Sequence, residues 1–306
     1  NLAVKNYLEK YRFQNVDTDQ FLAEVENVSN YETTDFKKRW LNSAEFQTED
    51  AFQILTQNKS ISQYLEIGKK YEVDLKDKKQ EFITILNSDA YINCKEEVVY
   101  QLGKENPTEL NDFFTIISNS SNLKLRQAFI RSLGKVTADY KEFYKQFLND
   151  SSYVTQEIVL KNMWSAFPED RENLLQTTQN WIGFNDKNLR ITWLTLALAT
   201  PDYKQDQKVL FYDELLKYTQ LGYESTTRQY AIMNLLYLNA NDTNVLKSLA
   251  NGLVHHKWQF VKFSKDIIRN QLEKDKYREY YQSILMDLNN DVKNSLERIL
   301  QEKPSS

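Results

Sequence analysis

The sequence predicts an all-α fold, a right-handed array of stacked antiparallel helix pairs, and three observations carry that prediction. Glycine and proline are scarce, six and four in 306 residues, whereas the turns of an all-β chain need such residues about every ten positions. Capped amphipathic segments follow one another along the whole length with short connections. One segment recurs in loosely the same register, the mark of units that bury their apolar faces only by stacking on neighbours.

The elements follow in order. LAVKNYLEKYRF sets Leu2, Tyr7, Leu8 and Tyr11 along one side at helical spacing. Asn15 to Thr18 break that pattern, and an Asp or Thr there caps a second helix with apolar positions Phe21, Leu22, Val25 and Val28. Further helices are TEDAFQILTQ from Thr48, SISQYLEIGKKY from Ser60, KDKKQEFITILN from Lys76, and PTELNDFFTIIS from Pro107 with proline in its first turn. TADYKEFYKQFL after Val136 and EDRENLLQTTQNWIG after Pro168 continue the series, Glu169 and Asp170 forming an acidic first turn. About nineteen helices of ordinary length result.

The repeat is clearest in INCKEEVVYQLG (92 to 103) and LKLRQAFIRSLG (123 to 134). Both carry a basic residue, Lys95 or Arg126, then an apolar pair, then Leu-Gly. Looser copies are YVTQEIVLKNMW, NLRITWLTLALA, TTRQYAIMNLLYL and DVKNSLERIL, with Arg190, Arg228 and Lys293 at the basic position of the last three. Units of roughly 30 to 40 residues built from two helices resemble HEAT or armadillo repeats, an α-solenoid. A non-repetitive right-handed helical array gives a similar pattern.

Composition narrows the function. An apolar fraction of 41% and an aromatic fraction of 13% supply a sizeable core. Lysine and arginine (39) against aspartate and glutamate (43) leave a net charge of −4, with the signs interspersed. That argues against a nucleic-acid surface. No apolar stretch approaches the ~20 residues of a membrane span. One cysteine excludes an internal disulfide framework. Cys94 shares a helix face with Val98 and Leu102 and reads as a small core hydrophobe. His255 and His256 are adjacent, diverge by ~100° on a helix, and read as surface or capping groups rather than metal ligands. The chain carries no H-E-x-x-H, no glycine-rich phosphate loop and no G-x-S-x-G elbow. No self-sufficient catalytic site and no cofactor of its own are expected.

The first 47 residues carry a resemblance. Tyr7, Leu8, Tyr11, Phe13, Asn15, Thr18 and Phe21 fall on a pattern of the form Y-L-x-x-Y-x-F-x-N-A-x-T-x-D-F, and Phe36 with Trp40 matches the apolar helix that follows it. This resembles the end of the catalytic domain in the gluzincin aminopeptidases, the membrane alanyl aminopeptidase family that includes leukotriene A hydrolases. Val16 and Gln20 depart from its Ala and Asp, and LNSAEFQ replaces the Gly and Pro expected after Trp40. The last departure argues against a β-sandwich insert.

The resemblance implies that residues 1–47 are the tail of a catalytic domain and that 48–306 form the helical C-terminal domain curving over a zinc cleft. It also implies that the H-E-x-x-H helix, the third glutamate ligand and the catalytic tyrosine lie upstream of Asn1, so that zinc belongs to the parent enzyme. The implied partners are that upstream catalytic domain and a peptide substrate.

Such a domain restricts access to the cleft and can supply cations for a peptide's terminal carboxylate. The candidates are Arg190, Arg228 and Lys262; each also fits the plainer role of surface solvation or pairing with a nearby acid. An independent scaffold that binds protein segments along its concave face is the other reading of the repeat.

Overall fold

The computed structural model describes residues 1–133, 136–239 and 242–302, apart from the side chain of Pro107. Gly134, which closes the second repeat copy, lies outside the described residues. Among them all regular structure is helical, and nineteen α-helices are present. The chain divides into two units, 1–72 and 73–306. The sequence-derived boundary after residue 47 falls inside the first.

The first unit holds α1 (Leu2–Lys10), α2 (Thr18–Ser29), α3 (Thr34–Phe36), α4 (Thr48–Leu55) and α5 (Lys59–Gly68). Asp17 caps α2 through a full capping box with Gln20, as the break before Phe21 predicts. A π-helical turn, Lys37–Leu41, follows α3 and contains Trp40, whose ring meets Phe46 edge-on at 6.3 Å. Apolar burial is thin: Leu22 and Ile67 are its buried hydrophobic residues, whereas Leu2, Leu8, Phe13, Phe46 and Ile54 stand exposed, Phe13 at 94%.

The second unit runs through α6 (Leu75–Asn87), α7 (Ile92–Leu102), α8 (Asn111–Ser118), α9 (Leu123–Ser132), α10 (Lys141–Phe147), α11 (Tyr153–Ala166) and α12 (Arg171–Thr178). It continues with α13 (Asn188–Ala199), α14 (Lys208–Lys217), α15 (Ser225–Tyr237), α16 (Thr243–Gly252), α17 (Trp258–Leu272), α18 (Asp275–Ile284) and α19 (Asn290–Leu300). Pro107 and Pro168 each open a 3₁₀ turn rather than the α-helix itself, the usual tightening at a helix start.

Contacts at matched ends show how the odd-numbered helices run. Gly103 at the end of α7 meets Ser132 at the end of α9. Gln127 near the start of α9 bonds Ser152 at the start of α11. Trp164 Nε1 donates to Thr200 Oγ1, joining the ends of α11 and α13. Thr227 donates to the Asp186 carbonyl, joining the starts of α13 and α15. The odd-numbered helices from α7 to α15 therefore meet in succession, each also packed against the helix before it.

α13 sits at the centre, with Leu189 and every residue from Ile191 to Ala197 buried. A helix apolar on all sides belongs there. An aromatic cluster of Phe114, Phe129, Tyr140 and Phe143 fills one end of the unit. Leu249, Phe260, Ile268, Tyr281, Val292 and Leu296 fill the other. Cys94 is fully buried in the core of α7, as its face predicts.

Candidate functional site

The basic position of the repeat has a structural identity. Lys95 donates to the carbonyls of Leu86 and Ser88 at 3.0 and 2.6 Å, where α6 ends. Arg126 Nη1 reaches the Ser120 carbonyl beyond α8 at 2.5 Å. Gln156 takes the same place in α11 and donates to the Leu148 carbonyl at 3.2 Å. Arg190 Nη1 reaches the Gln179 carbonyl at 2.7 Å, and Arg228 Nε the Thr219 carbonyl at 3.0 Å. α7, α9, α11, α13 and α15 thus each send a side chain back to the carbonyl end of the helix before, where the last turn leaves acceptors unmatched and the helix dipole is negative. Lys293 departs from the series, with Met286 Sδ 4.0 Å from its Nζ.

Two of these arginines carry a carboxylate as well. Arg126 is forked onto Asp150 at 2.7 and 3.2 Å, and Arg190 onto Glu214 at 2.8 and 2.6 Å, with the guanidinium of Arg190 over Trp193. Burial pushes the Glu214 carboxyl up, but the Arg190 fork and the Tyr218 hydroxyl outweigh it and hold it below the usual carboxylate range. Arg228 differs. It is 2% exposed, lies over Phe260 at 4.8 Å, and has no carboxylate at ion-pair distance among the described residues. Burial alone lowers its pKa.

These placements decide what the predicted carboxylate binders can do. Arg190 is saturated by Glu214 and a backbone carbonyl, and Arg228 is covered, so neither guanidinium is open to a peptide's carboxylate in this arrangement. Lys262 is open, its side chain 64% exposed, but it pairs with Asp266 one turn on at 2.6 Å. The three candidates do not converge through any contact between them.

A polar cluster that the sequence reading missed joins α11, α13 and α15. Glu157 Oε1 accepts from Lys161 Nζ at 2.6 Å, from the Tyr230 hydroxyl at 2.6 Å and from Thr192 Oγ1 at 3.1 Å. Lys161 also donates to the Tyr230 hydroxyl at 2.5 Å. Burial pulls the Lys161 pKa down, and the Glu157 carboxylate and Tyr230 more than restore it, so it lies above its ordinary value. Burial, then the Glu157 charge, raises that of Tyr230. The available signal was a Glu–Lys pair four apart in an apolar helix, and threonines, Thr192 and Thr195, in the equally apolar NLRITWLTLALA. The cluster ties three helices together, and every member already has a partner.

A cavity of about 320 Å³ opens among α10, α11 and α12, with Leu148, Met163 and Leu174 on its apolar side and Lys145, Asp170 and Asn173 on its polar side. Asp170 is taken by Lys141 at 2.5 Å. His255 and His256 lie in the turn before α17, not on a helix, because α17 begins only at Trp258; their rings stack at 4.2 Å instead of diverging. Among the described residues, no three His, Cys, Asp or Glu side chains could hold a metal ion. No helix of the described chain is long and apolar enough to cross a membrane.

The chain matches no family model, curated protein or solved structure.

Proposed function

We propose that this chain is the non-catalytic helical domain of a zinc aminopeptidase, working as a wall that limits access to a catalytic cleft carried by the upstream part of the same polypeptide. The observation that carries this reading is in residues 1–72, where two apolar side chains of the aminopeptidase pattern, Leu8 and Phe13, stand exposed, while Tyr7, Tyr11 and Phe21 pack on one another. On the reading proposed, the upstream domain covers Leu8 and Phe13. The helix pairs of 73–306, taken as a HEAT-like solenoid, supply a wall in which α7, α9, α11, α13 and α15 are each tied to the preceding helix by a hydrogen-bonded side chain. Arg190, Arg228 and Lys262 remain the candidates for a peptide's carboxylate, and Lys262 is the most exposed of the three.

The test is direct. The coding sequence ahead of Asn1 should carry an H-E-x-x-H with a downstream glutamate. The chain alone should bind no stoichiometric zinc and should leave aminoacyl fluorogenic substrates intact. An upstream sequence without the motif overturns the reading in favour of a self-standing scaffold that binds protein segments, and one tightly bound zinc per chain overturns it outright.

A further inference from the structure

The turn between α16 and α17 keeps its shape through a histidine that must be unprotonated. The backbone N–H of His255 donates to the Gly252 carbonyl at 3.3 Å, and the imidazole Nδ1 of His255 accepts the backbone N–H of Lys257 at 3.1 Å. Lys257 is the N-cap residue of α17 and makes no side-chain cap. The imidazole thus closes a short turn onto the N-cap residue just before α17, whereas Asp17, Asn122, Ser152 and Asp242 reach amides inside α2, α9, α11 and α16. An acceptor at Nδ1 requires the neutral ring, with its proton on Nε2.

The surroundings of that ring are cationic. His256 stacks on it at 4.2 Å, and Phe260 meets it edge-on at 5.1 Å. From α15, the guanidinium of Arg228 lies over the same Phe260 ring. The carboxylate facing the turn is Glu224, the N-cap of α15, which is already engaged by Lys257, Ser225 and Thr226. The charged and titratable groups facing His255 are thus Arg228 and Glu224 from α15, and His256 and Lys257 from its own turn.

We propose that His255 is an acid-sensitive latch: neutral, it holds the Lys257 amide and keeps the turn before α17 closed; protonated, it releases that turn. A proton taken from solvent at Nδ1 converts the acceptor into a donor, so the Lys257 N–H loses its partner. It also places a third cation beside Arg228 and Lys257, at the positive end of the α17 dipole. Burial first, then His256, Arg228 and Lys257, hold the imidazole below its usual pKa of 6.5, against the opposing pull of Glu224. The folded-state value lies below the unfolded one. The closed turn is therefore fully stable above the ordinary histidine range and loses stability as the pH falls below it. The latch stands independently of the aminopeptidase reading.

Amide hydrogen exchange on the intact chain tests it, corrected for intrinsic rates. Protection of the Lys257 amide and its neighbours should be lost progressively between about pH 7.5 and about pH 5. His255→Asn, which keeps an acceptor that does not titrate, should remove that pH dependence, and His256→Asn should retain it. Flat protection in the unaltered chain overturns the latch, and so does a pH dependence that survives His255→Asn or disappears in His256→Asn. Nitrogen-15 spectra of the unaltered chain give a readout that no variant can confuse. Above pH ~7 the His255 proton should sit on Nε2, and a proton on Nδ1 overturns the proposal.

Discussion

Arg190 and Arg228 hold the same place in the repeat yet differ in what surrounds them, and substitutions should separate them. Arg190→Met leaves Glu214 half-buried without its fork and the Gln179 carbonyl without its donor. It should cost about 2 to 3 kcal/mol in urea unfolding at neutral pH. Arg228→Met removes a buried charge that has one backbone partner and no carboxylate. It should stay within about 1 kcal/mol of the parent in either direction, because the lost contact is offset by the charge no longer buried. A loss above that of Arg190→Met would show that Arg228 is the stronger tie. The Arg190 effect also carries a pH signature. The Glu214 carboxyl lies below its ordinary 4.5 in the folded chain, so its stabilisation is present above that range and is lost as the pH falls through it. The cost of Arg190→Met should therefore shrink when unfolding is repeated near pH ~3, and an unchanged cost would remove Glu214 from the account.

Helix contacts set the second scale. Gly103 lies where α7 and α9 approach closely: a Cβ there would sit within van der Waals overlap of the Ser132 carbonyl oxygen, which is backbone and cannot swing aside. Gly103→Ala should lower the unfolding midpoint, by about 1 to 3 kcal/mol. Gly68, in α5, has nothing within 4 Å of such a Cβ, and Gly68→Ala should be neutral or stabilising by up to about 1 kcal/mol. Equal effects at the two sites would mean that helix propensity, rather than the α7–α9 contact, governs both. The Leu-Gly that closes the first repeat copy is thus a packing signal. Its basic residue is a capping signal, and both were visible in sequence before their reason was.

For the whole molecule, residues 1–72 bury little apolar surface while α13 is enclosed on every side. Amide exchange should be fastest across α1, α4 and α5 and slowest in α13; comparable protection in both would show that the first unit is more stable than its burial implies. The sequence by itself determined the helical class, the placement of most helices, the cap before Phe21 and the burial of Cys94. These depend on local periodicity, on turn residues and on capping geometry, which act over a few positions. Only the tertiary structure decided what the basic positions are for. A guanidinium looks the same in sequence whether it reaches a ligand, a solvent shell or the end of a neighbouring helix, and Arg190 meets Glu214 only once α13 and α14 are packed. The Glu157–Lys161–Thr192–Tyr230 cluster was hidden for the same reason: its members come from three helices, and the low dielectric that binds them to one another exists only after those helices exclude water.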